Sequence, residues 1–152
     1  MREYILTSPY NLLLTTLISW FIAQSLKVAI GILKEKRFNF AWFVGTGGMP
    51  SSHAATVTAL TTAVGLRSGV TSAAFAVALF FTIVVLFDAQ GVRRASGKQA
   101  EALNKILDDI YWRKRIKEDR LKELLGHTPT EVLAGVFLGI VIAFYFSAKG
   151  PF

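Results

Sequence analysis

Four apolar blocks alternate with polar connections along the chain: Asn11–Leu33, Ala54–Leu66, Val70–Phe87 and Val132–Ala148. Three of them approach the roughly 20 residues that carry a helix across about 30 Å of hydrocarbon. Ala54–Leu66 is shorter. Started at Ser51, it would reach roughly 24 Å at about 1.5 Å per residue. That suits a span held between neighbours or a locally thinned bilayer, with a re-entrant segment as the alternative. The pattern predicts an all-α integral membrane helical bundle of about four transmembrane helices, forming one domain over residues 1–152.

One long polar segment, Gln90–Gly126, breaks the alternation. Its apolar residues Ala102, Leu103, Ile106 and Ile110, then Leu121, Leu124 and Leu125, recur at helical spacing among charges. This predicts an amphipathic helical hairpin lying along the membrane surface. Residues 1–33 read as a retained first helix. Glu3 dilutes the positive start that a cleaved leader would carry.

Charge adds an orientation. The chain carries 17 Lys/Arg against 10 Asp/Glu. With four crossings, the connections Lys34–Pro50 and Gln90–Gly126 share one side and hold thirteen of those cations. Arg2, Arg67 and Lys149 fall on the other. Positive-inside bias then places both connections, the hairpin included, in the cytoplasm and both termini outside, in a cell inner or plasma membrane. The inference requires the short second block to cross. A net charge of +7 on such a chain points to anionic lipid headgroups and away from nucleic acid. With no cysteine, disulfides and thiolate metal sites are excluded.

The same topology gathers chemistry at one membrane face. It brings together Lys27, the stretch "GTGGMPSSH", Asp88 with Arg93 and Arg94, and "GHTPTE". Both histidines of the protein, His53 and His127, are in that set. Gly45, Gly47 and Gly48 let backbone N–H groups approach an anion, and a helix opening near Ser51 adds further donors and its dipole. Alternatively, the stretch is a tight loop with Ser51 as an ordinary N-cap. Arg93 and Arg94 offer planar forks suited to phosphate oxygens, or they anchor a helix end. Lys27 lies within an apolar helix and must snorkel or find a partner. Thr128 and Glu131 form a T-x-x-E capping box with Pro129 at the first helical position. Glu131, one turn after His127, could also accept the imidazole N–H. The combination describes a phosphate site.

These residues carry a resemblance. "PSSH" looks like the P-S-G-H motif of the type 2 phosphatidic acid phosphatase and vanadium haloperoxidase superfamily. "GHTPTEVLAGVFLG" is similar to its G-x-H-x-P-x-D-V-x-A-G-x-x-x-G ending, with Glu131 where the family has Asp. "FDAQGVRRASGKQAEALN" together with "TGGMPSSH" resembles the divergent, YuiD-like branch, and the likeness runs from about Lys27 to Gly139. It implies a phosphohistidine mechanism without metal or cofactor. His127 would be the nucleophile, Glu131 its orienting partner and His53 the acid for the leaving oxygen. Lys27, Gly48, Ser51, Ser52 and Arg93 or Arg94 would bind the phosphoryl group. Three departures stand out: Ser52 replaces a glycine, Lys27 lacks the downstream Arg-Pro, and Arg93 and Arg94 lie over thirty residues before His127.

The implied function is membrane hydrolysis of a lipid phosphate of phosphatidate, phosphatidylglycerophosphate or prenyl phosphate type. A non-catalytic lipid-phosphate binder or transporter on the same fold is the alternative. A metal-dependent phosphotransferase fits less well, because Asp108 and Asp109 lie far from Asp88. Four short helices make a thin bundle, which is compatible with a homodimer.

Overall fold

The computed structural model describes residues 9–36, 48–90, 92–111 and 127–149. The described residues form five helices: α1 (Pro9–Glu35), α2 (Ser52–Ser68), α3 (Ala73–Gln90), α4 (Val92–Tyr111) and α5 (Pro129–Lys149). The all-helical expectation holds among them. The first arm of the expected hairpin is α4; the second, together with most of Lys34–Pro50, lies outside the described residues.

The helices are apolar outward and small or hydroxylated inward. On α1, Thr15, Ser19, Ala23 and Lys27 recur every four residues and are buried, whereas Leu17 and Phe21 are more than half exposed. On α3 only Thr82 and Ala89 are buried, and Val77, Phe80 and Phe87 are 70–75% exposed. A contiguous apolar exterior of this kind is a liability in water and the normal boundary of a bundle in hydrocarbon. Three helices are long and apolar enough to cross a bilayer: Asn11–Glu35, Ala73–Gln90 and Pro129–Ala148. The molecule is a membrane bundle, and among the described residues three helices meet that measure; α2, the fourth crossing expected, does not meet it.

The shortfall is α2, and its position explains its composition. It packs against α1, α3 and α5 together, so it needs small side chains more than large apolar ones. Ser51 caps its start, accepting the Ala54 N–H at 3.3 Å. Gly69, at φ 82°, ends it and returns its N–H to the Gly65 carbonyl at 3.0 Å. Ser72 then opens α3 by accepting the Phe75 N–H at 3.1 Å.

Three contacts fix the packing. Gly135 and Gly139 let α5 lie directly on the α2 backbone. A Cβ at Gly135 would collide with the Ser51 carbonyl oxygen and sit 2.9 Å from the Ala54 Cβ, and one at Gly139 would collide with the Ala55 carbonyl. On another face the Ser19 hydroxyl of α1 donates to that Ala55 carbonyl at 3.0 Å. Toward α3, Thr61 and Thr82 share a hydrogen bond at 2.7 Å; Thr61 also lies 3.0 Å from the Ala78 carbonyl and Thr82 3.1 Å from that of Val57. The residue order in these contacts makes α5 parallel to α2 and α3 antiparallel to it; α1, whose Thr15 lies near Ala63 and whose Lys27 lies against Gly48, is antiparallel as well. The C-terminal ends of α1 and α3 and the N-terminal ends of α2 and α5 therefore share one end of the bundle.

Candidate active site

That shared end holds most of the residues singled out in the sequence. Its floor is a small apolar cluster of Ala54, Ala89 and Val132, flanked by Leu86 and Val136. Above it the N-termini of α2 and α5 are tied together: the Ser51 N–H donates to the Glu131 carbonyl at 3.0 Å. Residues eighty positions apart in sequence thus share one backbone hydrogen bond.

Glu131 serves two partners through one oxygen. Its Oε2 accepts the Thr128 N–H at 3.0 Å and lies 3.1 Å from His127 Nδ1. Thr128 Oγ1 reciprocates by accepting the Glu131 N–H at 3.4 Å, completing the expected capping box. A carboxylate at Nδ1 favours the tautomer with the proton there and the lone pair on Nε2. Packing reinforces the orientation, since His127 is 1% exposed. The pairing of an i, i+4 carboxylate with a buried imidazole was legible in "GHTPTE".

His53 lies in the first turn of α2, half-buried, with its ring centroid 6.2 Å from that of His127 and the planes inclined at 59°. Catalytic approach needs phosphorus about 3–3.5 Å from an attacking atom and about 2.6–3.2 Å between a general acid and the oxygen it protonates. Two imidazoles at this separation can flank one phosphoryl group.

Lys27 enters from α1, buried, and Glu131 acts on it electrostatically. Gly48 sits against its stem. With φ 85°, it occupies the left-handed region, and a Cβ there would lie 3.2 Å from Lys27 Cγ. Ser51 and Ser52 are buried at 0% and 3%. Ser51 acts as the N-cap of α2, the alternative that "PSSH" offered. Gly45 and Gly47 lie outside the described residues. Arg93 and Arg94 fall in the first turn of α4, which follows the α3 end; their side chains lie outside the described residues. Among the described residues no group of three or more His, Asp or Glu is arranged to hold a metal ion.

What the motifs did not reveal is the packing beneath them: Ser19 on Ala55, and Gly135 and Gly139 on α2. The four-residue spacing of those glycines in "AGVFLG" is the signal for close helix approach.

The sequence profile of the Divergent PAP2 family matches residues 9–142. The chain belongs to that family. A curated relative, the uncharacterized membrane protein YuiD of Bacillus subtilis (strain 168), is 40% identical over 149 residues, covering 88% of this chain and 94% of the relative. No solved structure matches the chain. Membership in the Divergent PAP2 family points, at family level, to a PAP2-like phosphatase.

Proposed function

We propose that the protein hydrolyses a lipid phosphate at the membrane surface through a phosphohistidine. The observation that carries this is the pair of histidines 6.2 Å apart, one of them buried and held at Nδ1 by Glu131. His127 Nε2 attacks phosphorus while the bond to the leaving oxygen breaks, and His53 gives that oxygen its proton. Water, giving its proton to His53, then attacks the phosphohistidine. The P–N bond breaks, His127 recovers its lone pair and inorganic phosphate leaves. Lys27, Ser51, Ser52, the Gly48 backbone and one of Arg93 and Arg94 bind the phosphoryl oxygens. A site at helix mouths admits a headgroup while the hydrocarbon tail stays in lipid.

Rapid-quench trapping of acid-labile phosphate on the protein, with labelled phosphatidate as substrate, tests the scheme. His127→Ala abolishes the trapped species. His53→Ala slows turnover about 10²–10⁴-fold but partly spares an aryl phosphate, whose departing oxygen needs little protonation. Glu131→Gln lowers rate more than stability, because the cap keeps an acceptor while the imidazole loses its carboxylate. Trapping that survives His127→Ala and is lost in His53→Ala reverses the roles. A wild type that turns over without ever trapping phosphate removes the covalent step.

The reading extends to topology. α2 is a fourth, protein-enclosed crossing, with the site on the cytoplasmic side and both termini outside. Cysteines placed at Lys36 and Lys98 in this cysteine-free chain should resist impermeant reagents applied to intact cells; efficient external labelling of both overturns the orientation.

A further inference from the structure

Three helices enclose α2 and leave one of its sides open. From Ser52 to Thr61 every residue is buried except His53, Thr56 and Leu60. Spaced by three and four, these lie on one side of the helix. α5 covers the other, with Gly135 against Ser51 and Ala54, and Gly139 against Ala55, Thr58 and Ala59. His53 and Leu60 each come two residues after a position that α5 covers, Ser51 and Thr58, and so stand about 200° round from it. α3 reaches α2 at Val57 and Thr61, and α1 reaches it at Ala55 and beside Ala63. Among the described residues α1 and α3 each pack extensively on α2 and not on one another. A groove floored by His53, Thr56 and Leu60 therefore runs down α2 between them.

Below His53 the floor is apolar. Thr56 Oγ1 donates to the Ser52 carbonyl at 2.6 Å, so its hydroxyl is taken up by its own helix. What remains is the Thr56 methyl and the Leu60 side chain, seven residues and about 10 Å from His53. Phe21 on α1 and Phe81 on α3 are more than half exposed, so the flanking helices face hydrocarbon and the groove opens into it. A helix side that only met bulk lipid would be apolar throughout. This one begins at an imidazole, whose ring stands 6.2 Å from that of His127. A phosphate held between the two rings carries its ester substituent at the head of an apolar groove.

We infer that the open side of α2, from His53 through Thr56 to Leu60, seats a hydrocarbon chain of the lipid phosphate whose headgroup lies at the histidines. The ligand enters sideways from the bilayer between α1 and α3, and Leu60 is the residue its chain must pass. The inference rests on the reading of His53 and His127 as a phosphate site, but it does not require that the phosphate be hydrolysed.

The test uses the full chain in phosphatidylcholine vesicles and two photoreactive probes with the same acyl chains. One is a non-hydrolysable phosphonate analogue of phosphatidate, the other a diacylglycerol without phosphate; both carry the photoreactive group midway along a chain. Labelled peptides are mapped. The phosphonate should label residues 53–60 in clear excess over the diacylglycerol, which reports bulk lipid alone. Leu60→Trp, which fills the groove and leaves both histidines, should cut that excess about tenfold, the effect of keeping about two methylenes out of the groove. A thermal midpoint confirms that the variant is folded, and Leu60→Phe replaces it if it is not. Equal labelling of residues 53–60 by the two probes overturns the inference, and so does an excess indifferent to the folded Leu60 variant. Phosphate release from phosphatidate by the same preparation reads hydrolysis separately. Excess labelling without release keeps the groove and removes hydrolysis; release without excess labelling keeps hydrolysis and removes the groove.

Discussion

Consecutive helices α2 and α3 have almost the same length, 17 and 18 residues, and opposite surroundings. α2 is rich in alanine and threonine and buries eight residues; α3 is rich in phenylalanine, valine and leucine and buries two. α3 therefore announces itself as a span, whereas α2 fails the same test of length and hydropathy. Yet α2 makes the most extensive contacts, against α1, α3 and α5, and carries His53 in its first turn. In lipid, hydrophobicity marks the helix facing the solvent hydrocarbon. The enclosed helix is selected for closeness instead, through small residues and hydroxyls that meet neighbouring backbones. Buried hydroxyls follow the enclosed helix, where they find backbone and side-chain partners on its neighbours.

Substitutions can break that contrast. The largest effect on stability is expected at the α2–α5 seam. Gly135→Ala or Gly139→Ala places a Cβ against a backbone carbonyl that no rotamer change can move. Each should cost about 1–3 kcal/mol or more, read as a lowered thermal midpoint in detergent. Gly135→Ala should also displace the Ser51–Glu131 tie and slow any turnover. Wild-type midpoints for both would mean that the helices lie farther apart than described here.

The polar contacts between α2 and α3 come next. Replacing Thr61 and Thr82 singly and together by valine should give a coupling of about 0.6 kcal/mol, and at most about 1.7, by double-mutant cycle. A coupling near zero would reduce the pair to packing. At the lipid face of α3, Val77→Ala should stay within about 0.5 kcal/mol of wild type, because Val77 is 70% exposed. A loss as large as that at Gly135 would mean that this face is covered by protein, as in a homodimer, and would end the contrast between the two helices.

How much of this was legible varied with the kind of signal. Blocks of large apolar residues gave α1, α3 and α5 nearly to their ends: Val132–Ala148 lies within Pro129–Lys149, extended by a capping box that was itself readable. Ser51 as N-cap and the joining of His127 to Glu131 were legible because both are local, three or four residues apart. The gathering of helix ends at one face followed from alternation alone. That α2 is held between neighbours was one of the alternatives its shortness offered; which helices enclose it was not legible, since alanine and threonine are compatible with many surroundings. Nor was the hydrogen bond between Ser51 and Glu131. Both depend on which backbone lies opposite, and composition carries little trace of that.

The bond from the Ser51 N–H to the Glu131 carbonyl also bears on how the chain can change length. It sets the spacing of His53 and His127 through space, independently of the seventy-odd residues that join them. Insertions or deletions around residues 112–126 leave the two helix starts in register, so the length of that stretch is free to diverge. The stretches 51–55 and 127–139 have no such freedom. One residue gained or lost there turns a helix by about 100° and points an imidazole or a glycine seam away from its counterpart.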